Sequence, residues 1–166
     1  MGAFFWAFMK ILSACFLFWA LFFTQASLEA STARPFTTDF CTGYFDGTLD
    51  RPGLWEDCCV THDLYLWAGG TQQDRTLADL DLKLCVKEKG APTHSVLMWL
   101  GVRIGNLSPI KLDGKHWGNA WGDEVRKTKL SEREISLLEE KLKKSNVALK
   151  SEIIENFLEK LKLLNL

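Results

Sequence analysis

Two adjacent cysteines, Cys58 and Cys59, constrain this chain more than any other feature. A disulfide between neighbouring residues strains the backbone that joins them, so each must find a partner elsewhere. Three other cysteines are present, Cys15, Cys41 and Cys85. Cys15 lies in an apolar leader, which leaves four for the remainder of the chain. An even number suits an oxidising compartment. Cys58 and Cys59 then reach outward, one to Cys41 and one to Cys85, and cysteine count alone leaves open which takes which. A zinc site built from these cysteines and His62 is the competing use, but their spacing is not that of a zinc finger.

The leader agrees with export. Phe4 to Phe23 is nearly unbroken apolar sequence, interrupted by Lys10 and Ser13, and small and polar residues follow it in Thr24-Gln25-Ala26-Ser27. Residues 1–30 therefore read as a signal peptide or an N-terminal membrane anchor. The expected location is secreted or periplasmic, or membrane-anchored where the leader is retained. The formal net charge is −1, which excludes a nucleic-acid binder that relies on bulk positive charge. The charge is segregated: residues 34–85 carry four Lys/Arg against nine Asp/Glu. Such a local acidic excess suits a hard cation as well as a solvated surface.

Residues 35–54, rich in Gly, Asp, Thr and Pro, read as a loop. A helix is predicted from about Trp55 to Ala68, stopped by Gly69-Gly70. Thr71 followed by Asp74 has the form of a capping box. The second helix then runs to about Lys87 and ends before Gly90 and Pro92, with Leu77, Leu80 and Leu84 as its apolar face and Leu82 as a candidate addition. A third helix is predicted from Thr93 to about Ile104. Residues 105–122 are Gly- and Trp-rich with little periodicity, and Trp99, Trp117 and Trp121 read as core. His94 and His116 read as structural or surface residues. Ser131 and Glu134 form a second capping-box pattern. Ile135, Leu138 and Leu142 mark one amphipathic face beyond it, and Ile153, Ile154, Phe157, Leu158, Leu161 and Leu164 another. These helices are expected to dock on the body or pair with each other. The resulting division is 1–30, 31–129 and 130–166.

The chemistry concentrates in Asp57-Cys58-Cys59-Val60-Thr61-His62-Asp63. On a helix, Cys58 and His62 are one turn apart, and so are Cys59 and Asp63. The neighbouring cysteines therefore anchor two faces, one carrying His62 and the other Asp63. If Cys58 joins Cys85, the second helix lies beside His62. At about 1.5 Å rise per residue, both Asp79 and Asp81 then come within reach of the imidazole, and height alone slightly favours Asp81. An imidazole held by a carboxylate is a general base able to activate water. Asp63 beside an oxygen-rich loop has the outline of a Ca²⁺ site, and Ca²⁺ can stabilise an ester-derived oxyanion. No Gly-x-Ser-x-Gly elbow offers a serine route.

At these residues the chain resembles secreted phospholipase A2. That family's active-site helix reads Cys-Cys-x-x-His-Asp, and Cys58 to Asp63 matches every specified position. The Trp-Ala-Gly-Gly-Thr turn and compact length look like the bacterial members, and the resemblance covers roughly residues 40–88. It implies a mainly α fold: a disulfide-linked antiparallel helix pair of phospholipase A2 type, to which this chain adds a C-terminal helical segment. It implies disulfides Cys58–Cys85 and Cys41–Cys59. It also selects Asp79, six residues before Cys85, as the partner of His62. The implied activity is Ca²⁺-dependent hydrolysis of the sn-2 ester of a glycerophospholipid at a membrane surface. In it His62 activates water, Asp79 orients His62, and Asp63 binds the metal.

Two departures stand out. The family's calcium loop, Tyr-x-Cys-Gly-x-Gly, aligns here with Phe40-Cys41-Thr42-Gly43-Tyr44, without those glycines. Asp46, in Phe45-Asp46-Gly47, is the candidate substitute ligand. The family's Tyr four residues after the His is Leu66, with Tyr65 next to it. The alternative reading is a catalytically silent phospholipase-like module that binds lipid or protein.

Overall fold

The computed structural model describes residues 32–106 and 116–165. The predicted leader, Cys15 included, lies outside the described residues. Among the described residues there are five α-helices: α1 Glu56–Ala68, α2 Gln72–Glu88, α3 Pro92–Gly105, α4 Glu132–Lys143 and α5 Ser151–Asn165, with a 3-10 turn at Asn119–Trp121. No strand occurs among the described residues. None of the described helices is long and apolar enough to cross a membrane.

Two disulfides fix the register at the front of the molecule. Cys41 joins Cys59 with Cα atoms 5.1 Å apart, and Cys58 joins Cys85 at 5.7 Å. The 41–54 loop is thereby tied to one face of α1 and the end of α2 to the next. Buried Trp55, Leu82, Val86 and Met98 pack around the four sulfurs in one apolar cluster. Trp55 is fully buried, and its backbone N–H donates to Asp46 O at 3.0 Å, which draws the loop onto the start of α1.

The Gly- and Trp-rich segment caps the far end of α1. The last carbonyls of a helix have no partner within it. Here Leu66 O accepts from the Gly118 backbone N–H at 2.7 Å. The Trp121 indole donates to Ala68 O at 2.7 Å, and that of Trp117 donates to Gly70 O at 2.8 Å. Gly69 makes this closure possible. Its φ is +77°, and a Cβ there would lie 2.7 Å from Gly118 Cα. The segment lacks helical periodicity because its indoles serve as donors to another helix's end.

The capping box at Thr71 and Asp74 forms as predicted, and Pro92 opens α3, where its missing N–H costs nothing. The apolar face assigned to α2 does not. Leu77, Leu80 and Leu84 are 40%, 41% and 45% exposed. The buried positions are Asp74, Ala78, Asp79, Leu82 and Val86. The reason is physical: two of the inward positions carry carboxylates that find donors inside the protein. A hydrophobicity pattern therefore reads the helix from its wrong side.

The capping box at Ser131 and Glu134 also forms. Ile135, Leu138, Leu142, Phe157, Leu158 and Leu161 join Leu64, Tyr65 and Trp67 of α1 in a second core cluster. Phe157 meets Tyr65 edge-on, with ring centroids 5.0 Å apart. Residues 32–166 thus make one compact unit in which α5 packs on α1 and α4 packs on α5, their apolar faces joined in that cluster.

Candidate active site

α1 and α2 are linked twice, by Cys58–Cys85 and by a bond from His62 to Asp79. As position rises along α1 its partner falls along α2, so the two helices run in opposite directions. His62 Nε2 lies 2.9 Å from Asp79 Oδ1. Asp79 is 1% exposed. A carboxylate at that depth needs several donors to offset its lost hydration. Its other oxygen, Oδ2, accepts from Asn106 Nδ2 at 2.8 Å and from Arg103 Nη1 at 3.2 Å. Asn106 Oδ1 in turn accepts from Arg75 Nη2.

Asp81 faces elsewhere and pairs with Lys160 of α5. The structure thus brings Asp79, and not Asp81, to the imidazole. Arg75, Arg103 and Asn106 escape the sequence pattern. Asn106 closes α3 and Arg103 sits in its last turn, 27 and 24 positions after Asp79 in a segment with no motif. Of the three, only Arg75 stands at a spacing that could have pointed to it, one helical turn before Asp79.

His62 and Asp63 line one cavity of about 520 Å³, a size that suits a small-molecule ligand. Leu66, Leu82, Leu97, Met98 and Val102 supply its apolar wall, and Phe40 to Tyr44 its loop side. Leu66, standing where the resemblance expects a Tyr, belongs to this wall. Tyr65 instead turns to the core, where burial first and then the charge of Asp81 push its phenol well above the usual tyrosine value. A second cavity of about 190 Å³ lies on another side of His62, lined among others by Tyr65, Asp81, Phe157 and Lys160. The C-terminal helix therefore contributes to the surroundings of the dyad.

Asp63 is 8% exposed. Its Oδ2 accepts from the Thr38 hydroxyl at 2.6 Å, and that hydroxyl also accepts from the Phe40 N–H at 3.0 Å. Phe40 has φ +60°, an uncommon conformation for a residue with a Cβ. Asp46 does not line the cavity. Its Oδ1 accepts from the Cys41 N–H at 2.9 Å, so it braces the loop.

Asp63 and the Thr38 hydroxyl beside it are oxygen donors, the type a hard cation takes. The adjacent sulfurs of Cys41 and Cys59 are consumed in their disulfide, which removes the soft ligands a transition metal would favour. Among the described residues no cluster of three or more His, Cys, Asp or Glu side chains is placed to hold a metal.

The other histidines have structural partners. The His94 ring stacks on Trp55 at 4.8 Å and its Nδ1 lies 2.8 Å from Tyr44 Oη. His116 Nε2 meets Gly122 O at 2.9 Å. Trp117 is core, at 1% exposure, whereas Trp99 lies beneath Lys83, whose Nζ is 4.5 Å from its ring.

Comparison with family profiles, with curated proteins and with solved structures returns no match to this chain.

Proposed function

We propose that the protein hydrolyses a carboxylic ester of a membrane lipid, in the manner of phospholipase A2. The observation that carries this reading is the buried Asp79 held against His62, which faces an apolar-walled cavity one residue from Asp63. An imidazole with Nε2 engaged by a carboxylate keeps Nδ1 for the reaction. His62 Nδ1 takes a proton from water as the water attacks the ester carbonyl, and Asp79 stabilises the imidazolium that forms. His62 then returns the proton to the leaving alkoxide. Leu97, Met98 and Val102 offer an acyl chain a wall that excludes water. Ca²⁺, held by Asp63 and loop carbonyls, would supply charge to the developing oxyanion.

The sn-2 position and the glycerophospholipid substrate rest on the resemblance at Cys58 to Asp63. Two disulfides and the apolar leader support action in an oxidising compartment outside the cytoplasm, secreted or periplasmic. The test is fatty-acid release from mixed phosphatidylcholine and phosphatidylglycerol vesicles, with Ca²⁺ and with chelator. Release that depends on both Ca²⁺ and His62 is expected. Vesicle binding without release, unchanged in His62→Gln, would reject hydrolysis and leave a silent lipid-binding module.

A further inference from the structure

We propose that Arg75 and Asn106 are positioning residues that fix the tautomer of His62, a role that rests on the hydrolase reading above. An Asn amide presents an acceptor on one side and donors on the other. Arg75 Nη2 can only donate, and it meets Asn106 Oδ1. That bond commits Asn106 Nδ2 to the opposite side, where it lies 2.8 Å from Asp79 Oδ2. Arg103 Nη1 donates to the same oxygen at 3.2 Å.

Asp79 Oδ2 therefore meets donors only, and a proton placed on it would have no acceptor. Donors on Oδ2 favour the carboxylate form, and its remaining oxygen, Oδ1, 2.9 Å from His62 Nε2, is then the acceptor. In the neutral ring the proton then sits on Nε2 and the lone pair on Nδ1. If Asn106 turned over, its Oδ1 would face Asp79 Oδ2, and two acceptors would need a proton between them. Arg75 forbids that arrangement. Through three hydrogen bonds in series it specifies which nitrogen of His62 is the base.

Folding stability alone does not explain Arg75. Its Nε is the one buried side-chain polar atom among the described residues without a hydrogen-bond partner. Burial pulls its guanidinium below the ordinary arginine value, with Asp79 opposing and Arg103 adding to the shift. A Met of similar length would fill this space without leaving a buried donor unpaired. Both members of the relay sit where helix spacing delivers them. Arg75 is one turn before Asp79 on α2, and Asn106 is one turn after Arg103 at the end of α3.

The experiment reads the ring nitrogens of His62 by NMR in ¹⁵N-histidine-labelled protein, beside vesicle hydrolysis at saturating Ca²⁺. Wild-type protein should hold one tautomer, protonated on Nε2. Arg75→Met and Asn106→Leu should mix the two tautomers and lower kcat about a hundredfold; both residues also line the cavity, so the tautomer, read without substrate, separates positioning of His62 from contact with the acyl group. Arg75→Lys, which still donates to Asn106 Oδ1, should restore the single tautomer and most of kcat. A wild-type ring protonated on Nδ1 would overturn the inference. So would an unchanged tautomer and kcat in whichever of the two loss variants folds. The tautomer is read without substrate, so wild-type protein that releases no fatty acid would sink the hydrolase reading while the NMR comparison still decides the relay.

Discussion

Asp79 and Asp81 lie two residues apart on α2 and meet different partners. Successive side chains turn by about 100° around a helix, so these two point in nearly opposite directions. A rise estimate compares heights only, and it leaned toward Asp81. The resemblance to phospholipase A2, which implies a carboxylate six residues before the cysteine, is what singled out Asp79. His62→Gln is expected to abolish fatty-acid release, and Asp79→Asn to lower it by about 10²–10⁴-fold. Asp81→Asn should leave turnover nearly intact, since its Lys160 pair is partly exposed and such pairs contribute about 0–1 kcal/mol. Assays on folded variants that found Asp81→Asn inactive and Asp79→Asn active would reverse the roles. Asp63→Asn should weaken Ca²⁺ binding in calorimetry while the thermal midpoint holds. Equal affinity in both proteins would remove Asp63 as a ligand. His62, Asp63 and the cysteine framework were legible because one helical turn places them together. Arg103 and Asn106 were not, because their approach to Asp79 depends on how α3 packs.

At the scale of an element, α2 shows how buried carboxylates defeat a pattern. Its exposed leucines are more numerous than its buried one, so apolar periodicity points outward. Leu82→Ala should destabilise by about 2–5 kcal/mol, as expected for a side chain 4% exposed. Leu84→Ala, at a position 45% exposed, should change stability by less than about 1 kcal/mol. Equal losses in chemical denaturation would mean that the outer face of α2 is covered in solution.

The start of α4 offers a different test. Burial opposes ionisation of Glu134, but hydrogen bonds from Arg126 and Ser131 and the charge of Arg126 outweigh it and hold the carboxyl below the ordinary glutamate range. Arg126 Nη1 lies 2.6 Å from Glu134 Oε1. A depressed folded value means that the contribution is present above the unfolded value and disappears as pH falls through the folded one. Glu134→Gln should therefore lower the thermal midpoint at neutral pH, and the difference from wild type should shrink below the ordinary glutamate range. A difference independent of pH would rule out ionisation as its source.

For the molecule as a whole, the C-terminal helices complete a core that the earlier residues cannot close alone. Their capping box and amphipathic faces were readable, because local spacing suffices for both. Their docking partner was not, since the matching surface on α1 is continuous helix with almost no apolar periodicity: Leu64, Tyr65 and Trp67 are buried on several sides at once. Phe157 is 1% exposed and packs on Tyr65, and Lys160 of the same helix reaches Asp81 near the dyad. Phe157→Ala should therefore cost about 3–5 kcal/mol, a large part of the roughly 5–15 kcal/mol that holds a domain of this size together. Lys160→Met, which keeps the stem and removes the charge, should cost less than about 1 kcal/mol. Denaturant unfolding of both variants, followed by tryptophan fluorescence, checks the pair. A single cooperative transition shifted strongly by Phe157→Ala is expected, because one core spans α1, α4 and α5. Two separate transitions, with only the first displaced, would show that the helices after Leu130 fold as an independent attachment.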